Sequence, residues 1–137
     1  MKNPLINNTL IILASIFIGS IINMSIVLLG PNIIPPPDGA DVTTMKGLKE
    51  SMHLFQPKHF LFPFLAHALG TFNGALIAAK FSKFNNTRNA LIVGAIFLFG
   101  GVTDVFSLPT PIWFALIDLI IAYIPMAYLA TKVVMKK

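Results

Sequence analysis

Four polar side chains interrupt stretches of this chain that otherwise carry almost no charge. His67 lies within HFLFPFLAHALGTFNGALIAA (59–79), Asp104 near the end of ALIVGAIFLFGGVTDVF (90–106), Asp118 within IWFALIDLIIAYIPMAYLATKVV (112–134) and Asn23 within TLIILASIFIGSIINMSIVLL (9–29). An imidazole and a carboxylate can share a proton, hold a cation, or tie two helices together through one hydrogen bond. Which of these applies depends on the elements that carry them.

Each stretch is about twenty apolar or small residues, the length a helix needs to cross a bilayer. At 55% hydrophobic and 11% charged, with a mean hydropathy of +0.79, the composition is that of an integral membrane protein. The reading is an all-α membrane protein in one domain, 1–137, with four spans near 9–29, 59–79, 90–106 and 112–134. The net charge of +5 comes from ten basic residues in short clusters beside the spans. That pattern orients a protein against its lipid bilayer and offers no basic face for nucleic acid. Without cysteine there is no disulfide framework, thiolate nucleophile or iron–sulfur cluster. P-loop, nucleophile-elbow and zincin motifs are absent too, and the sequence leaves any cofactor unknown.

Small residues at a spacing of three or four suggest how the spans pack. Ser15, Gly19 and Asn23 form one ridge and Gly70, Gly74 and Ala78 another, with His67 on the second; Ala90, Gly94, Phe97, Gly101 and Asp104 share a third face. Between the first two spans, the prolines of 31–39 predict an extended spacer. Residues 43–55 follow as a short amphipathic extracytoplasmic helix, in which Met45, Leu48, Met52 and Phe55 meet lipid or the bundle. Glu50 and His53 on that helix are candidate caps over the polar residues below. Thr110 and Pro111 read as N-cap and first residue of the last span, and Pro125 should bend it.

Loop charges predict the orientation. Lys2, Lys80, Lys83, Arg88, Lys132, Lys136 and Lys137 fall on one side; Lys46, Lys49 and Lys58 fall on the other, diluted by Asp38, Asp41 and Glu50. Both termini are then cytoplasmic, in a cell inner (plasma) membrane. From the opposite face His67 lies about 12 Å deep, Asp118 and Asn23 about 9 Å, and Asp104 within a turn of the surface, at 1.5 Å per residue. One polar side chain from each span reaches the same half of the membrane. Thr71 and Thr103 are further hydrogen-bonding candidates there.

Two functional readings follow. In the first, His67 and Asp118 form an outward-facing cluster that handles a proton, ion or small polar solute, in a homo-oligomer joined through glycine ridges. In the second, the chain is a non-catalytic subunit or assembly factor of a larger membrane complex, and the polar pair is interhelical glue. A third places a divalent metal on His67, Asp104 and Asp118, as in an intramembrane metal-dependent enzyme.

Overall fold

The computed structural model describes residues 3–135, which form helices and turns with no strand. Helix α1 spans Pro4–Ile33, α2 Met45–Ser51, α3 Leu61–Phe81, α4 Asn86–Ser107, α5 Ile112–Ile121 and α6 Ile124–Met135. Four segments are long and apolar enough to cross a membrane: α1, α3 with its 3₁₀ lead-in from Pro57, α4, and α5 with α6. The chain is therefore an all-α, multi-pass membrane bundle.

Every span outruns its apolar stretch. Asn3 starts α1 early, because its side chain accepts hydrogen bonds from the Leu5 and Ile6 amides while Pro4 occupies the first turn. At the other end α1 continues through Pro31 to Ile33, where an extended spacer was expected from Pro31 onward. A proline this near a helix end removes only one ladder bond. Gly30 also holds the end in place, since a Cβ there would lie 2.8 Å from Cβ of Phe62 on α3.

The amphipathic segment is a shorter helix than 43–55. Thr44 caps α2 by accepting from the Gly47 amide, and the helix tightens into a 3₁₀ turn, Met52–Leu54. Met52 is buried with Phe60 and Phe114, and Leu48 and Phe55 pack against them; Met45 stays exposed. Just before α2, Asp41 accepts from the amide and hydroxyl of Thr43, while its own amide donates to Ser51 Oγ. The Thr43 hydroxyl, and then the Thr43 amide, hold the Asp41 carboxyl below the usual carboxylate range.

Helix α3 is the hub, packing against α1, α4 and α6. Its buried residues are all small: Ala66, Ala68, Gly70, Thr71, Gly74, Ala75, Ala78 and Ala79. The two predicted ridges meet here. A Cβ on Gly19 would lie 2.7 Å from the Gly70 carbonyl oxygen, and one on Gly74 would lie 2.9 Å from that of Ser15. Backbones approach this closely only where side chains are missing. The glycine ridges expected to join two copies thus join α1 to α3 within one chain.

The last span is interrupted just before Pro125, where a bend is expected. Proline at 125 has no amide to give the Ile121 carbonyl and its ring clashes there, so α5 ends at Ile121 and α6 begins at Ile124. Thr110 is not the N-cap of α5: Pro111 holds that position, and the Thr110 hydroxyl donates to the Leu108 carbonyl instead.

Candidate functional site

His67 faces α5 from the second turn of α3, and its Nδ1 lies 2.8 and 2.9 Å from the two carboxylate oxygens of Asp118. It is the only ion pair among the described residues. Asp118 is 3% exposed, so hardly any water reaches it and the imidazole is its main partner. A second donor, the Tyr123 hydroxyl, lies 3.4 Å from Asp118 Oδ2, while the tyrosine ring stacks on His67 with centroids 5.7 Å apart. A Cβ on Gly101 of α4 would lie 2.5 Å from that hydroxyl, so the glycine makes its room.

The sequence reading missed Tyr123. In an unbroken helix, residues five apart point about 140° away from each other. The turn at Ala122–Tyr123 removes that separation. A tyrosine beside a proline, a few residues beyond an intramembrane acid, was the available signal.

Beside the pair lies a cavity of about 240 Å³, bordered by Asn23 and Ser20 of α1, His67 and Thr71 of α3, Phe97 and Asp104 of α4, and Tyr123. Bare backbone at Gly70, Gly100 and Gly101 forms much of the rest of its wall. Asn23, Asp104 and Thr71 thus border one cavity with His67, and Asp118 adjoins it through its contact with His67. Thr103 does not: its hydroxyl donates to the Phe99 carbonyl of its own helix, and it does not border the cavity. Glu50 and His53, the proposed caps, are both exposed and away from the cavity, because α2 turns its apolar side toward Phe60 and Phe114. No three His, Asp or Glu side chains among the described residues gather closely enough to hold a metal, so Asp104 does not complete a facial set with His67 and Asp118.

One buried hydroxyl departs from the bonding pattern of other intramembrane serines and threonines. Hydroxyls at Thr9, Ser15, Ser25 and Thr103 donate to the carbonyl four residues back, as serine and threonine do in apolar helices. Thr71 does not follow them. It is 1% exposed, and its Oγ1 is buried without any partner among the described residues.

A second polar cluster, at the opposite end of the bundle, is a structural knot that also escaped the sequence reading. Asn8 of α1 donates to the Phe84 carbonyl and accepts from the Lys83 amide. Asn89 donates to Ser82 Oγ and to the same carbonyl, while Asn86 donates to the Ala79 and Ser82 carbonyls. These bonds satisfy the α3–α4 turn, where Asn85 adopts φ 56°, a left-handed conformation asparagine tolerates.

Compared with protein-family models, curated proteins and solved structures, the chain matches none. The site must be read from its own chemistry.

Proposed function

We propose that this multi-pass membrane protein handles a proton, a cation or a small polar solute at the His67/Asp118 cavity. The observation that carries the reading is the His67–Asp118 pair, with Asp118 buried and His67 bordering a cavity on whose wall Asn23 and Asp104 make no side-chain hydrogen bond among the described residues. Ionisable groups placed within a bilayer are costly and commonly mark a solute path. A purely structural bond between helices needs no cavity beside it.

The pair has a definite chemistry. With Nδ1–H donating to Asp118, the neutral imidazole keeps a lone pair at Nε2, and that nitrogen has no hydrogen bond among the described residues. A proton taken up there makes an imidazolium whose charge Asp118 balances. The groups are therefore arranged to accept a proton, or the N–H of a solute, from the cavity. The loop charges support a cytoplasmic location for both termini, in an inner (plasma) membrane with the cavity in the outer half. On this reading residues 1–137 act as one membrane domain.

Reconstitution tests the proposal. Vesicles containing the protein and a trapped pH dye should respond to an imposed proton or cation gradient, and Asp118→Asn should abolish the response while circular dichroism stays unchanged. If the vesicles show no flux and Asp118→Asn alters only thermal stability, the pair is interhelical glue.

The subunit or assembly-factor reading is favoured by one observation: the ridges of α1 and α3 are consumed within the chain and no longer call for a second copy. Obligate co-purification with larger subunits in mild detergent would establish it.

A further inference from the structure

We infer that the cavity takes a small protonated primary amine, its ammonium group held by Asp104, Asn23 and the free Nε2 of His67. The inference rests on the reading of the cavity as a solute site and adds the chemical class of the solute.

Charge comes first. The neutral His67 imidazole hydrogen-bonds Asp118 without cancelling its charge, and the Asp104 carboxylate has no hydrogen bond or ion pair among the described residues. It stands one turn before the end of α4. The site therefore has the Asp104 carboxylate on the cavity wall and the Asp118 carboxylate beyond His67, with no cation among the described residues to balance either, and it selects a cation.

Hydrogen bonding then narrows the class. The Asn23 amide is without a side-chain bond among the described residues, and so is Nε2 of His67. A carboxylate, an amide oxygen and an imidazole lone pair are all acceptors, and an ammonium group offers three N–H donors and accepts nothing. An alkali ion would gain from the oxygens but would leave the imidazole nitrogen unused, because hard cations take oxygen ligands.

Size and wall chemistry agree. A volume of about 240 Å³ is that of about eight waters at 30 Å³ each, room for an ammonium with a short alkyl group. The rings of Phe97 and Tyr123 and the bare glycines suit the alkyl part, and the ring faces also attract the charge.

The test is equilibrium binding of radiolabelled ethylammonium to the full-length protein in zwitterionic nanodiscs. Saturable binding is expected, displaced by unlabelled ethylammonium but not by equal concentrations of potassium or tetramethylammonium, which has no N–H. Asp104→Asn and Asn23→Ala should each weaken it by about tenfold or more, the size of one hydrogen bond to a charged group. Asp104 is exposed, so Asp104→Asn keeps the question answerable if Asn23→Ala fails to fold. Equal displacement by potassium or tetramethylammonium would overturn the amine inference and leave the cation reading standing. No amine binding, together with proton flux that depends on Asp118, would do the same. Absence of both binding and flux would overturn the two together.

Discussion

His67 of α3 and Asp118 of α5, 51 residues apart in the chain, meet at 2.8 Å through Nδ1 and a carboxylate oxygen. The contact should be energetic as well as geometric. A double-mutant cycle of His67→Ala and Asp118→Ala, read by denaturation in detergent, is expected to show coupling of about 0.6 to 2 kcal/mol, the range for interhelical polar contacts in membranes. Additive effects would mean that the two side chains do not interact.

Gly19 faces the carbonyl of Gly70 with no room for a methyl group. Backbone cannot step aside as a side chain can, so Gly19→Ala should destabilise the α1–α3 pair by about 1 to 3 kcal/mol, the usual cost of overpacking. Gly100 makes the control, because a Cβ there meets nothing within 4 Å. Thermal melts of the two alanine variants should differ, and equal melting points would argue against this packing.

Gly101 is the seat of the Tyr123 hydroxyl. Gly101→Ala should push the tyrosine off His67 and Asp118, and the near-ultraviolet circular dichroism of this stacked, 2% exposed ring should fall with it. Tyr123→Phe keeps the ring in place and removes only the weak 3.4 Å hydrogen bond, so its spectrum should stay close to wild type. A Gly101→Ala spectrum like that of wild type would show that the glycine does not hold the tyrosine.

The turn before α2 should respond to acid. The Asp41 carboxyl is held low by Thr43, so its contribution is present above the unfolded-state value and is lost as the pH falls through the lower folded-state value. Amide exchange across 45–51 should quicken in that window for wild type. Asp41→Asn, which cannot titrate, should show no such step; a step of the same size in the variant would assign the change to another group.

Loop charge predicts the topology. Cysteines placed at Lys83 and at Asp38, both exposed, should differ in intact cells: an impermeant thiol reagent should label the second and spare the first. Labelling at Lys83 from outside would reverse the orientation, and with it the side from which the cavity is reached.

Much of this molecule follows from one-dimensional pattern. Length and hydropathy dictate the spans, because a backbone in hydrocarbon must satisfy its own hydrogen bonds and a helix does so locally. Helical spacing places Ser15, Gly19 and Asn23 on one face and His67, Gly70 and Gly74 on another, since side-chain direction in a helix repeats with the turn. Counting along the spans also brings His67, Asp118, Asp104 and Asn23 to similar depth. Nothing in that pattern says which ridge meets which, and both could have faced a second copy. Tertiary packing set Gly19 against Gly70 inside one chain, where backbone contact is closest. The break at Pro125 is visible in sequence, but its consequence is not. Only the three-dimensional path of the chain brings Tyr123 back to Asp118, against the 3.6-residue rule that sequence reasoning relies on. Thr71 and Thr103 are equivalent on paper as intramembrane threonines. Their surroundings decide that one bonds its own helix while the other's buried hydroxyl has no partner among the described residues, because a hydrogen bond depends on which acceptor lies within about 3 Å and not on residue type.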